Sequence, residues 1–230
     1  MALWLVRGGK HGQHEQKFLK DNCVYATWDG FSRDFMGFKD RQEMRDALRN
    51  TYADASEKAI INYSGQLWPF GHEMKLGDWV VMPLKGKPAI AIGEIAGEYQ
   101  FHPKADDPYF HSRKVKWLVM DMPRSSFEQD LLYSFGAFMT ICHITRNDAE
   151  ARVRAMAKAG WPPGGGGGPG PGPEPPEEVV DLELLARDRI AKLIISKFKG
   201  HAMETLVEAI LKAQGYTTYR SPEEPENFSS

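Results

Sequence analysis

Apolar positions in the first 161 residues recur at two-residue spacing in some runs and at helical spacing in others. The run LWLVRGG (3–9) predicts a short strand stopped by Gly8 and Gly9, and CVYATW (23–28) alternates well enough for a second. In DRQEMRDALRNTY (40–52), Met44, Leu48 and Tyr52 fall at helical spacing, with Asp40 as N-cap and Glu43 three residues on. INYSGQLWPFGH (61–72) reads as an irregular segment. GDWVVMPL (77–84), PAIAIGEIAGEYQF (88–101) and HSRKVKWLVMDMP (111–123) are β-rich runs separated by Gly, Pro and charged turns. NDAEARVRAMAKAGW (147–161) predicts a closing helix capped by Asn147, with Glu150 completing a capping box. Short strands with a few helices imply an α+β domain, a partly open β-barrel with flanking helices over 1–161.

Beyond it the pattern changes. From Pro162 to Pro176 every residue except Glu174 is Gly or Pro, a composition that sustains neither helix nor ladder, so 162–176 is read as a linker and the preferred point of proteolysis. It is not a phosphate cradle, which requires a preceding strand and a following Lys-Ser/Thr. Residues 177–230 are mainly helical. Leu182, Leu185, Ile190, Leu193 and Ile194 share a face, and Met203, Leu206, Val207, Ile210 and Leu211 form a second stripe. Gly200 and Gly215 act as stops, and YTTYR is strand-like. Two such helices make little core, so they are expected to dock on the first domain, form a homodimer, or pack on residues outside this sequence.

Charge narrows the function classes. The net charge of −2 excludes a polybasic binder, but 1–161 carries 22 Lys/Arg against 20 Asp/Glu while 162–230 is net acidic. Nucleic-acid contact, if made, belongs to a local patch of the first domain. Two cysteines give neither a metal-ligand spacing nor a disulfide framework, and no run reaches the length of a membrane span, so the expected setting is cytoplasmic, with no membrane partner.

The succession MKLGDWVVMP (74–83), KPAIAIGEIAGEYQF (87–101), SRKVKWLVMDMPRSSF (112–127) and LLYSFGAFMTICHI (131–144) resembles the PUA-like superfamily, in its EVE, ASCH and SRA-related branches. There a Gly-Asp-hydrophobic strand leads to an Ile-Gly-Glu strand and then to a Val-x-Trp strand. The resemblance implies a β-barrel that binds modified bases in DNA, or RNA. METLVEAILKAQGYTTYRSP (203–222) resembles the start of Mrr-type nucleases of the PD-(D/E)XK class. The following EEPENFSS has neither the Gly-x-Asp nor the Gln-x-Lys of that family, so no residue here inherits a catalytic role. The expectation is an incomplete nuclease start without cofactor, Mg²⁺ belonging only with a complete nuclease domain.

These resemblances imply the recognition part of a type IV, modification-dependent restriction system acting on double-stranded DNA. The alternatives are an RNA-binding PUA-like module, or the N-terminal part of an active metal-dependent Mrr-like endonuclease. A flipped base needs aromatic faces and a few polar groups for its edge. Trp28, before Asp29-Gly30, and Trp68, in the irregular segment, are the expected walls. Asn62, Ser64 and Gln66 are the expected edge readers, and Tyr99 (with Phe101) a further wall. Trp4, Trp79 and Trp117, inside strand runs, are expected in the core. In RGGKHGQH (7–14), Arg7, Lys10 and His11 around flexible glycines are expected on phosphates, as are Arg113 and Lys114, beside Lys116, in HSRKVK. His11 and His14 lack a third ligand, so no metal is expected.

Overall fold

In β1 (Leu3–Val6), Trp4 and Val6 face one apolar core and Leu3 and Leu5 another; β3 (Trp79–Pro83) divides likewise, with Val80 and Met82 opposite Trp79 and Val81. A strand that is apolar at every position is buried on both faces, and the rest of the architecture follows. The structure, a computed structural model, describes residues 1–161 and 182–219. The remaining strands are β2 (Cys23–Tyr25), β4 (Ala89–Phe101), β5 (His111–Pro123) and β6 (Ile141–His143). All six form one open mixed sheet in the order β2-β5-β4-β3-β1-β6. β1 runs parallel to β3, and the other neighbours are antiparallel.

The helices are α1 (Glu15–Asp21), α2 (Arg41–Thr51), α3 (Glu57–His72), α4 (Gln129–Phe135) and α5 (Ala149–Lys158). One core joins α1, α2 and α3 to one face of the sheet through Phe18, Met44, Leu48, Ile60, Leu67 and Phe70. The other joins α4 and α5 through Leu131, Phe135, Val153 and Met156. The domain is α+β as expected, but the sheet does not close. Helices on both faces do the covering that a barrel achieves by curling. The β4–β5 hairpin shifts register between Ile95 and Tyr99, where extra residues bend a ladder.

Capping follows the sequence at one helix and departs from it at another. Asp40 accepts from the N–H groups of Gln42 and Glu43 at the start of α2, as expected. Asn147 does not cap α5. Its amide donates to Asp130 O and Ser134 Oγ and so ties α5 to α4, while Glu150 pairs with Arg154. Residues 61–72, expected to be irregular, are helical. Ser56 caps α3, accepting from Ala59 N, and the helix runs on through Pro69 at the cost of the N–H that would reach the Gly65 carbonyl.

Each of the three strand motifs has a structural task. The Asp78 carboxylate accepts from Ala2 N, Trp4 Nε1 and Lys75 N at 2.8–3.0 Å, pinning β1 to the entry of β3. Burial opposes its charge, but these donors outweigh burial and hold its pKa below the ordinary value. Gly93, opposite Trp117 in the ladder, sits beneath two side chains. A Cβ there would lie 2.3 Å from Val115 Cγ1 and 2.9 Å from Trp117 Cε3. Gly93→Ala is therefore expected to cost about 1–3 kcal/mol by overpacking. Gly86→Ala, whose Cβ would meet nothing, serves as the control. Urea unfolding of the two variants checks this, and equal stabilities would refute it.

The chain divides into two compact units, Met1–Leu185 and Ala186–Ser230. The expected linker at 162–176 lies outside the described residues. α6 (Leu182–Lys197) is followed by Gly200 at φ 53°, then α7 (His201–Ala213), with Gly215 at φ 86° beyond it. Those two stops stand where expected. Tyr216 to Tyr219 form no strand, and Arg220 lies outside the described residues. Of the expected α6 stripe, Ile190, Leu193 and Ile194 are exposed. On α7, Val207 and Ile210 are exposed and Met203, Leu206 and Leu211 half-buried. Among the described residues no helix is long and apolar enough to cross a membrane.

Candidate nucleic-acid interface

The glycine loop after β1 has its own occupant. Glu15, buried at the start of α1, turns its carboxylate back under the loop and accepts from Lys85 N at 2.7 Å. A Cβ on Gly12 would lie 2.6 Å from Glu15 Oε1, and one on Gly8 2.8 Å from Glu15 Cγ. These glycines therefore make room for a buried carboxylate rather than for an incoming phosphate. Burial raises the pKa of Glu15, against the pull of Lys85 and Arg7. Arg7 leaves the expected phosphate set. Its guanidinium donates to Phe135 O at 3.1 Å and to Ala137 O at 2.8 Å, holding the connection between α4 and β6. Lys10 and His11 remain exposed on the loop.

α3 gathers the expected edge readers and separates their roles. Gln66, buried, accepts from Thr140 N and Ile141 N at 2.8 and 3.0 Å and donates to Asn62 Oδ1. It is a bracket for the start of β6. Ser64 is also buried; its hydroxyl donates to Ile61 O and accepts from Arg45 Nε. Neither side chain reaches solvent, so Ser64 and Gln66 are corrected to structural residues. Asn62, one turn before Gln66, is exposed.

Trp28 is half-buried beyond the end of β2 and meets Tyr63 of α3 edge to face, ring centroids 6.2 Å apart. Tyr63 touches Tyr52, whose hydroxyl donates to Asp29 O at 2.7 Å, and Gly30 N donates to the Asp107 carboxylate. This network fixes the turn that carries Trp28. His14, at the end of the glycine loop, hydrogen-bonds Tyr109 Oη at 2.8 Å; burial lowers its pKa while the Asp29 charge works the other way. Contacts thus run from Trp28 through Tyr63 to the helix face of Asn62 and Gln66, and on to Thr140, whose carbonyl accepts from Arg7 N.

The remaining candidates lie elsewhere. Trp68 stacks on His72 of its own helix at 3.8 Å, and no contact joins it to Trp28. Tyr99 belongs to a stack with Phe35 and His111: Phe35 N donates to Tyr99 Oη, which is 2.8 Å from His111 Nδ1. Phe101 stacks on the same imidazole. Tyr99 is thereby a packing residue and not a free wall. Arg113 is buried, and its guanidinium donates to Phe70 O at 2.7 Å and Gly71 O at 3.0 Å, closing the carbonyl end of α3. It cannot reach a phosphate, whereas Lys114 and Lys116 are exposed on β5. Trp4 and Trp79 are core, as expected, and Trp117 packs half-buried over Gly93. Both cysteines are free, and burial raises their pKa values, Cys142 to about 11, which leaves them poor nucleophiles.

Residues 4–137 match one family, described as a domain of unknown function, DUF8426. The chain belongs to the DUF8426 family. The matched stretch runs from β1 through α4 and includes Trp28, Asn62 and Tyr63, so the corner they form lies within the DUF8426 domain. A comparison with curated proteins returns no match. An irregular segment over 61–72 gives Tyr63 no face; on the helix it follows Asn62 and turns toward Trp28. Phe138, on the connection held by Arg7 and Gln66, is 69% exposed and had no periodicity to reveal it.

Proposed function

We propose that this DUF8426 chain reads DNA carrying a modified base, taking the extruded base against Trp28 and Tyr63 with the Asn62 amide at its edge. The observation that carries the reading is that edge-to-face pair, half-buried where a turn held by Asp107 meets α3, with Tyr52 touching both. Every base has a π-face, so a braced aromatic recovers stacking lost on extrusion. The PUA-like assignment belongs to the same proposal. It is supported by the three motif strands lying side by side, with Asp78, Gly93 and Trp117 each in a packing task. Placement of the chain in a modification-dependent restriction system, in the cytoplasm, rests on the resemblance of the tail to Mrr-type nucleases. Association of two copies through the tail helices is part of the same proposal.

The test is a binding titration with duplexes containing 5-methylcytosine, 5-hydroxymethylcytosine or N6-methyladenine, the unmodified duplex, and RNA of the same sequence. Trp28→Ala is expected to weaken the preferred duplex by about 1–3 kcal/mol, roughly ten- to a hundredfold, while circular dichroism shows it folded. A folded Trp28→Ala variant that binds as the wild type does would remove the corner from recognition. Tighter binding of the RNA would favour the RNA-reading alternative.

A further inference from the structure

β3 and β6 flank β1, so three connections emerge at one end of the sheet: residues 7–14 after β1, 84–88 between β3 and β4, and 136–140 before β6. They spread over two strand spacings, about 10 Å. The first offers Lys10 and His11 and the second Lys85 and Lys87, all exposed. The third presents Phe138, 69% exposed. Two acidic groups stand nearby. Glu15 lies buried under the first two connections, and Asp121 is 3.9 Å from Lys87. The surface left to solvent is a basic rim with one phenyl ring at its side.

That ring is held rather than loose. Arg7 donates to Phe135 O and Ala137 O, Thr140 and Ile141 donate to Gln66 Oε1, and Thr140 O accepts from Arg7 N. Hydrogen bonds thus fasten both sides of the connection while its aromatic residue is left in water. An apolar side chain on a rigid mount beside cations is what duplex deformation uses: the cations hold phosphates and the wedge enters between base steps. The same helix connects the mount to the aromatic corner. Tyr63 faces Trp28 and Gln66 holds the Phe138 connection, three residues and about 4.5 Å apart along α3.

We propose that this end of the sheet is a duplex-binding edge in which Phe138 wedges into the base stack, with Lys10, His11, Lys85 and Lys87 on the flanking phosphates. The proposal rests on the base-reading function and adds the group that opens the stack. The ring fills the gap left by the departing base, so its contribution exists only where a stack must be opened.

The full chain is titrated with a duplex carrying the preferred modified base and with the single strand carrying the same base, for the wild type, Phe138→Ala, Phe138→Leu and Trp28→Ala. Phe138→Ala is expected to weaken the duplex about tenfold and to leave the single strand unchanged; Phe138→Leu retains most of the duplex affinity. Trp28→Ala weakens both substrates. Equal duplex affinity for Phe138→Ala and wild type overturns the wedge even where Trp28→Ala confirms the reader. Parallel losses on both substrates overturn it too, assigning Phe138 to general binding or to folding. Unchanged DNA affinity with a dimer lost in sedimentation assigns Phe138 to a contact between copies. Failure of the wild type to bind any modified duplex removes the reading itself together with the wedge.

Discussion

Acidification from neutral pH to about 4 is expected to destabilise the first domain by about 3 kcal/mol, mostly through His111. This imidazole is fully buried between Phe35, Tyr99 and Phe101. Burial lowers its pKa to about 4 from 6.5, outweighing the Phe31 carbonyl and the Asp34 charge, which act in the opposite direction. The unfolded chain protonates near 6.5 and the folded one only near 4, so stability is complete above 6.5 and is lost as pH falls across that window. A gap of that size corresponds to about 3 kcal/mol. The neutral ring also has a defined tautomer. Nε2 donates to Phe31 O, which leaves Nδ1 to accept from Tyr99 Oη, and Tyr99 in turn accepts from Phe35 N. A second proton would set two donors against each other. Urea unfolding across this pH range measures the effect. His111→Gln should flatten the slope despite lower stability at neutral pH, and an unaltered slope would show that other groups carry it.

Arg113→Ala should cost about 3–5 kcal/mol, lowering the melting temperature by roughly 10 °C. Two causes combine. The carbonyls of Phe70 and Gly71 lose their donor at the end of α3, and a cavity replaces a long side chain that is 1% exposed. The ion pair with Glu98 contributes little, since Glu98 is largely exposed and lies 3.8 Å away. Arg113→Met, which fills much of the volume without donors, separates the two causes and should recover the cavity part alone. Calorimetry of both variants decides it. A loss under about 1 kcal/mol for Arg113→Ala would mean that the helix end finds other donors.

Much of the scaffold was legible because its signals are local. Asp40 with Glu43, the fully apolar β1 and β3 runs, and the glycines after α6 and α7 are each decided by a few neighbouring residues. What failed was decided by distant partners. Pro69 and Gly71 read as helix breakers, yet both lie in the last turn of α3, where Arg113, from a strand far along the chain, donates to the carbonyls of Phe70 and Gly71. The glycines of the first loop look like a phosphate cradle until Glu15 is seen folded beneath them. How far the sheet closes was not legible for a similar reason: strand runs alone do not reveal that α4 and α5 cover the second face.

The same distinction explains the candidate site. Trp28 was legible as an aromatic at a turn, and Asn62 as an exposed amide. Arg7, Arg113, Ser64 and Gln66 are polar types that favour surfaces, and no local signal marks the backbone groups that claim them. Lys10, His11 and Lys114 kept their exposed positions. Tyr63 became visible only when its segment proved helical.

The two outermost strands, β2 and β6, are three residues each. Amyloid-like stacking and strand addition need a longer unpaired ladder, typically six or seven residues of backbone donors and acceptors. The long apolar ladders of β4 and β5 lie inside the sheet, paired on both sides over part of their length. β2 pairs with β5 only from Ser112 to Lys114, so an incoming chain finds three residues at either terminal strand but a longer stretch along the rest of β5. Crowding many copies of this domain together should find β2 and β6 poor templates, and any recruitment of backbone would begin along the length of β5 that β2 leaves uncovered.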